Sequence, residues 1–457
     1  MDRSNQHLWF EQALLADGWA RNVRLTISVG SIARIENGVA RAATDEAHAI
    51  AIPGLPNLHS HAFQRAMAGL TETRGPSNDS FWTWRELMYR FVATLNPDQF
   101  EAIAAMAFAE MLESGFTRVG EFHYLHKNVD GTPYANPGEM AARVANAARE
   151  TGIGLTLLPV FYAHSGFGGQ APKPSQQRFI HDVDAFARLL DASRKAVADI
   201  DDAIVGVAPH SLRAVTPEEL TQIAKLANGA PIHIHIAEQT KEVEDCVAWS
   251  GKRPVEWLLA NNTVDQHWCL VHATHMTARE TRDMAHSGAV AGLCPITEAN
   301  LGDGIFPATD FLREGGLFGV GSDSNVLIDA AEELRLLEYG QRLSQRSRNV
   351  LVDTEGQHTG AEIFRCALNG GAQALGAGEP GLKVGNSADI VCLKSDHAAL
   401  WNRSGDALLD SWIFAARSAV DHVWRRGKKV VSGGRHVARE KITARYRDTL
   451  NTIIGKI

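Results

Sequence analysis

The sequence predicts an α/β fold: a (β/α)8 TIM-like barrel with a second, smaller, discontinuous β-sandwich built from both chain ends. Three observations carry this. Apolar segments of strand character alternate with amphipathic helical segments along 55–375, eight strands in all. The first part, 1–54, has strand-like segments with too little apolar content to fold alone, and 376–457 holds further β segments that can complete it. No Gly-x-Gly-x-x-Gly follows the first strand, which counts against an open doubly wound sheet.

In chain order, 8–52 reads as short strands with turns. Residues 22–28 and 31–35 carry β-branched side chains, and Glu36-Asn37-Gly38 is a hairpin signal. The first barrel strand ends in His59 and His61. A long connection at 66–80 follows, broken at Gly75-Pro76 and Asn78-Asp79; its length suits a lid or binding loop. A helix opens after it with Asn78, Asp79 or Ser80 as cap and Arg85 inside. Asn96-Pro97 begins another that runs to Gly115, since Asn accepts first-turn N–H groups, Pro loses no bond there, and Gly takes the left-handed cap. Further strands are expected at 117–123, 155–161, 204–209, 232–237, 268–272, 289–294 and 317–322, with helices such as 137–150, 217–226 and 277–286 between them. A helix at 361–375 leads out of the barrel. Beyond it GLKVGNSADIVCL, 419–424 and the turn at Arg426-Gly427 read as β segments without intervening helices.

At 457 residues the chain exceeds one small core. A net charge of -8 weighs against nucleic acid or an anionic membrane surface as partner, though not against a local basic pocket for an acidic small molecule. The 5 cysteines are scattered, odd in number and without a CxxC, as expected of a reduced cytoplasmic protein. The first residues lack a signal pattern, and no apolar run approaches the ~20 residues that span a bilayer. A homodimer is the expected assembly, because two-fold pairs are the commonest soluble oligomers.

Active sites of such barrels lie at the C-terminal ends of the strands. His59 and His61 stand at i and i+2, so on a strand both imidazoles point to one side. Alone, such a pair is ordinarily a satisfied core or surface pair. Here PIHIHIAEQ ends the fifth strand with His233, His235 and then Glu238; HWCLVHATH ends the sixth with His272; GVGSDSN ends the eighth with Asp323. Nitrogen and carboxylate ligands at several strand ends suit a divalent ion with one position open to water. His235, nearer the strand end, is the better ligand, and His233 reads as structural. His272 is a fourth ligand or a base that orients water. Asp323 is a ligand, a base or both, and Glu238 is placed to shuttle a proton. Each has the bland reading of a satisfied buried polar residue; their joint placement points to a metal site.

These residues carry a specific resemblance. The HxH after a turn, the histidines of strands five and six and the Ser-Asp of strand eight resemble the amidohydrolase superfamily, and ADIVCL resembles its return to the sandwich. VAPHSLRA has no lysine at the end of strand four, which resembles the mononuclear, deaminase-type branch. LPNLHSHAFQRAMAGL, EFHYLH, LTLLPVFYAHSGFGG, APHSLRAVTPE, HIHIAEQTKEVEDC, WCLVHATH and LCPITEANLGDGIFPATDF together resemble the formimidoylglutamate deiminase family, over about residues 9–435. The resemblance implies Zn2+, one per subunit, on His59, His61, His235 and Asp323. It implies catalytic roles for Glu238, His272 and Asp323, and substrate contacts from Gln64, Arg85, Tyr124, His210, Arg213 and Glu238. The implied reaction is hydrolysis of N-formimidoyl-L-glutamate to N-formyl-L-glutamate and ammonia, in histidine degradation. Water on the ion would be activated by His272 and Asp323, with Glu238 as proton shuttle. One departure stands out: Asn325 occupies a position where many members have histidine (SDSH). Asn donates a hydrogen bond but does not titrate near neutrality.

The residues support that substrate class on their own. A dicarboxylate asks for two sets of donors, and Arg85 and Arg213 can each bind a carboxylate through two parallel hydrogen bonds. Singly, each would be read as a solvated surface charge. Tyr124 and His210 complete the cage, and Gln64 lies close enough to the HxH to touch the reacting head. Two alternatives stand beside this reading: a deaminase of another amine (a purine, pyrimidine or guanidino compound), and a barrel scaffold without chemistry.

Overall fold

The structure is a computed structural model that describes residues 5–75 and 80–456. Four strands precede the barrel: β1 (Gln6–Leu15), β2 (Gly18–Ser28), β3 (Ser31–Glu36) and β4 (Glu46–Pro53). The barrel strands are β5 (Leu55–Ser60), β6 (Phe116–His123), β7 (Gly154–Phe161), β8 (Ile204–Val205), β9 (Ala208–Pro209), β10 (Ile232–Ile236), β11 (Trp268–His272), β12 (Val290–Leu293) and β13 (Leu317–Val320). Four more follow: β14 (Ile390–Leu393), β15 (Val420–Arg425), β16 (Lys428–Ser432) and β17 (Arg435–His436).

β10 to β13 and then β5 to β8 lie side by side, all parallel, and β9 pairs with β7. The ring closes where Val207 N donates to Pro231 O (2.9 Å), His233 N to Val207 O (3.1 Å) and His235 N to His210 O (3.1 Å). β5, β6, β7, β10, β11 and β12 are buried at every residue, which is why they read as near-continuous apolar runs. The fourth position is not the single strand expected over 204–209. It breaks into β8 and β9 at Gly206, where a Cβ would stand 2.4 Å from Pro231 O.

The two chain ends share one mixed sheet, in the order β17-β16-β15-β14-β4-β1-β2-β3. β1 and β2 form one hairpin of 10 and 11 residues, longer than the short strands expected there. Ile50, Ile52, Val391 and Val423 on one face join the barrel core, while Leu8, Phe10, Leu25, Ile390 and Trp424 form a separate buried cluster on the other. The rings of Phe10 and Trp424 are 6.4 Å apart although β1 and β15 are three places apart in the sheet. A flat sheet would separate those strands by about 14 Å. The sheet therefore curls over on itself and encloses a second core in the manner of a sandwich.

The segment after the barrel is not free of helices, as the sequence reading held. Asp406–Phe414 is a helix between β14 and β15 that buries Leu408, Leu409, Trp412 and Ile413, a helical spacing. Arg439–Ile453 is another, packed on the helix Pro97–Ser114. That earlier helix ends as its sequence requires: Asn96 Oδ1 accepts from Gln99 N (2.9 Å), and Gly115 has φ 104°.

One helix matters most for the site. Phe81–Val92 starts at Ser80, whose Oγ accepts from Trp82 N at 3.3 Å; the other two cap candidates, Asn78 and Asp79, and Pro76 lie outside the described residues. Its far end is clamped by the buried guanidinium of Arg178, which donates to Val92 O, to Leu95 O (2.9 Å) and to Lys127 O (2.9 Å). All five cysteines are free, and no described helix is long and apolar enough to cross a membrane.

Candidate functional site

The ends of β5, β10 and β13 bring His59, His61, His235 and Asp323 together, with one ligand atom from each within 4.8 Å of the others. The site is built on unusual backbone. Ala237, His272, Ala273, Asp323 and Asn325 all have positive φ, between 42° and 68°, where side chains other than glycine are strained. Gly321 lets β13 close on β5, since a Cβ there would lie 2.7 Å from both N and O of His59.

The donor set fits a cation. Nε2 of His59 and Nε2 of His235 are 3.0 Å apart. His61 donates from Nδ1 to Phe122 O (2.9 Å), so its Nε2 presents a bare lone pair 3.3 Å from Asp323 Oδ1. Burial holds all three imidazoles below their ordinary pKa, His59 at about 3, so they are neutral. Burial works against the charge of Asp323, but His59, His61 and His272 outweigh it and keep the carboxylate well below the usual range. Three neutral imidazoles and one carboxylate converging on one point, the bare lone pair of His61 among them, are a donor set that a divalent ion satisfies.

Asn325 is a clamp at this centre. It is fully buried; its Nδ2 donates to Ser60 Oγ (3.2 Å), His61 O (3.1 Å) and Asp323 O (3.0 Å), and its Oδ1 accepts from Ser322 Oγ (2.6 Å). It thus ties the end of β5 to the end of β13 through bonds that need no titration.

His272 stands beside the four. Its Nδ1 donates to Glu298 Oε1 (3.2 Å), while its Nε2 faces Asp323 Oδ2 (3.9 Å) and Glu238 Oε1 (4.0 Å). Burial would lower its pKa, but Glu238, Glu298 and Asp323 outweigh that and raise it to about 10. Burial raises Glu238 to about 7, against the pull of His272 and Arg213. Sequence reasoning missed Glu298. It lies 26 residues beyond His272, in the short helix Pro295–Leu301, and nothing in TEAN marks it.

His61, Gln64, Arg85, Tyr124, His210, Arg213, His235, Glu238, His272 and Asp323 line one cavity; His59 lies buried beneath it. Tyr89, Tyr162, Phe179, Trp84 and Thr297 also line it and were not read from the sequence. Gln64 donates from Nε2 to Tyr124 Oη (2.9 Å), and its buried Oε1 has no partner among the described residues. His210 pairs through Nδ1 with Ser211 Oγ (3.2 Å), and burial keeps it neutral. The Arg85 guanidinium lies 4.5 Å from the Trp82 ring centre and 5.6 Å from that of Tyr89; Arg213 lies 5.7 Å from Trp82. Among the described residues neither arginine closes an ion pair, and the buried Nε of each has no hydrogen-bond partner. Glu242 and Glu238 hold the charge of Arg213 against burial from further away.

His233 points elsewhere: its Nε2 donates to Ala374 O (2.8 Å), and burial lowers its pKa to about 4. His123, also buried, falls to about 3. Both are neutral when folded, whereas an unfolded histidine takes up a proton below about pH 6.5. The unfolded state then binds more protons, so stability is expected to fall as pH drops from about 6.5 toward 4, by ~1.4 kcal/mol per unit for each such histidine. Urea midpoints measured at intervals across that range check this, and a flat profile would mean that these histidines are charged in the fold.

The amidohydrolase family model matches residues 50–430, and the model for the N-terminal domain of formimidoylglutamate deiminase HutF matches residues 7–49. The chain is 51% identical over 450 residues to formimidoylglutamate deiminase from Pseudomonas aeruginosa, covering 98% of this chain and 99% of that protein. The 8-oxoguanine deaminase of the same organism is 27% identical over 425 residues, 90% of this chain and 89% of its own. Among solved structures, an amidohydrolase from Brucella melitensis superposes with TM-score 0.96 at 57% identity, covering 98% of this chain and 100% of that one. An adenosine deaminase from Xanthomonas campestris with bound zinc superposes with TM-score 0.80 at 22% identity, over 98% of each chain, a likeness of fold. On the extent of these matches, the chain belongs to the amidohydrolase family, among its formimidoylglutamate deiminases.

Proposed function

We propose that this chain hydrolyses N-formimidoyl-L-glutamate to N-formyl-L-glutamate and ammonia, a step of histidine degradation. One zinc ion per subunit is held by His59, His61, His235 and Asp323. The observation that carries the reading is the pair of guanidiniums, Arg85 and Arg213, that close no ion pair among the described residues and share a cavity with that ligand set. Three neutral imidazoles and one carboxylate suit zinc, and the P. aeruginosa relative carries the activity in its name. The reading includes a cytoplasmic homodimer; five free thiols accord with a reducing compartment.

The ion, when bound, supplies Lewis-acid activation of water. The side chains do the rest. Arg85 and Arg213 bind the two carboxylates and fix the formimidoyl carbon over the strand ends. The unpartnered Oε1 of Gln64 accepts an N–H of the cationic head. His272, oriented by Glu298, presents Nε2 with Asp323 to the attacking water. As the water's oxygen bonds to the formimidoyl carbon, one of its protons passes to Glu238 and from there to the departing nitrogen. As the C–N bond breaks and ammonia leaves, the remaining hydroxyl proton passes to Glu238, the formyl C=O forms, and that proton departs with ammonia as ammonium. A carboxyl group near pH 7 suits a group that must both take and give a proton at neutrality.

The test is ammonia release by zinc-loaded protein from N-formimidoyl-L-glutamate, with N-formimidoyl-L-aspartate, guanidinoacetate, adenosine and cytosine alongside. Fast release from the glutamate compound and little from the others is expected. Release from a nucleobase or nucleoside alone would keep the barrel and overturn the role given to the arginines.

A further inference from the structure

Gln176 ends the turn Pro174–Gln176 and is buried between two tyrosines, Tyr89 on the helix Phe81–Val92 and Tyr162 just past β7. Its amide has only one orientation. Oε1 accepts from Lys173 N at 2.8 Å, so the NH2 end faces the tyrosines, donating to Tyr162 Oη at 2.8 Å and to Tyr89 Oη at 3.3 Å. Each phenol oxygen therefore already accepts a bond, and each hydroxyl proton must find an acceptor elsewhere. Neither hydroxyl is seen to donate a hydrogen bond among the described residues, so the pair is left without an acceptor in that network.

Two cationic donors share the cavity with it. Tyr89 and Tyr162 line the cavity together with Arg85 and Arg213, and a guanidinium offers donors alone. This wall is thus made of hydrogen-bond donors, two cationic and at least one neutral. The ligand that satisfies it is an acceptor-only, anionic group. We propose that the hydroxyls of Tyr89 and Tyr162, held by Gln176, form a neutral donor subsite for one substrate carboxylate and set specificity for it. The inference rests on the dicarboxylate reading above and adds to it residues that no arginine argument reaches.

The test is a cycle between protein hydroxyl and substrate carboxylate. The double variant Tyr89→Phe/Tyr162→Phe is compared with the parent chain on N-formimidoyl-L-glutamate and on two analogues, 4-(formimidoylamino)butanoate and N-formimidoyl-L-2-aminobutanoate, each lacking one carboxylate. KM for the full substrate is expected to rise about ten- to a hundred-fold, the worth of hydrogen bonds to a charged group, with kcat changed by no more than a few-fold. The rise should vanish with the one analogue that lacks the carboxylate bound here. Gln176→Glu, nearly isosteric, turns the hydroxyl protons toward itself and should raise KM in the same pattern. An equal loss on all three substrates, or a loss confined to kcat, would mean that the tyrosines only pack the wall and would overturn the proposal. If the double variant does not fold, Tyr162→Phe alone carries the comparison. Calorimetric binding of glutarate separates this inference from the reaction. Weaker binding by the variant, in a parent chain that releases no ammonia from the glutamate compound, keeps the subsite and removes the deiminase reading. Turnover with unchanged KM and unchanged glutarate affinity does the reverse.

Discussion

Glu238→Gln is expected to lower kcat for N-formimidoyl-L-glutamate by about 10²–10⁴-fold, the usual worth of a positioned proton-transfer group, while metal content and KM stay near those of the parent. Glu238 is 5% exposed, lies 4.0 Å from His272 Nε2, and stands outside the group of four ligands. Its raised pKa, about 7, has burial as its main cause, so the carboxyl is poised between its two forms at neutral pH. Glutamine keeps the size and can still accept a bond from the substrate, but it cannot take a proton from water or give one to the leaving nitrogen. The variant thus removes the transfer and leaves the pocket. Metal analysis beside kcat decides between roles: a variant that loses its metal would show Glu238 to be a ligand, and one that keeps both metal and full turnover would move the proton path to Asp323 and His272.

The barrel and the convergence of its histidines were legible because burial writes itself into sequence. Strands enclosed on both faces must be apolar throughout, so a polar residue at their ends is conspicuous. His59, His61, His235, His272 and Asp323 were all visible this way, and they meet in the structure. What was not legible depends on contacts that leave no local pattern. Glu298 bonds His272 from a short helix, and its sequence there is that of any helix start. Gln176 reaches Tyr162 and Tyr89 from an irregular loop, and loops carry no periodicity to read. The break at Gly206 comes from the close passage of Pro231, a tertiary constraint. The helix Asp406–Phe414 does carry a helical spacing of apolar residues, but it is short and lies among strands, where a β reading prevails. Asn325 shows the opposite lesson: its departure from a histidine raised a question of chemistry, and its four hydrogen bonds place it in the scaffold under the ligands.

Arg213→Ala is expected to raise KM for N-formimidoyl-L-glutamate by about a hundred-fold or more, because truncating one partner of a buried, hydrogen-bonded charge pair costs about 2–5 kcal/mol. Arg85→Ala is expected to act in the same direction, and lysine at either position to rescue only part of the loss, since an ammonium lacks the planar fork that matches a carboxylate. Both guanidiniums approach the single ring of Trp82, at 4.5 Å and 5.7 Å from its centre. Removing one therefore disturbs the seat of the other, and the double variant should lose less than the sum of the two single losses. This prediction also separates the substrate classes. The 27% identical relative acts, by its name, on a purine, and aromatic side chains such as Trp84 and Phe179 line this cavity too. A neutral ring system stacks on such residues but has no use for two cations that close no ion pair among the described residues. If KM is unmoved by either arginine substitution, the pair is a feature of the wall rather than of recognition, and the aromatic lining becomes the better guide to the substrate.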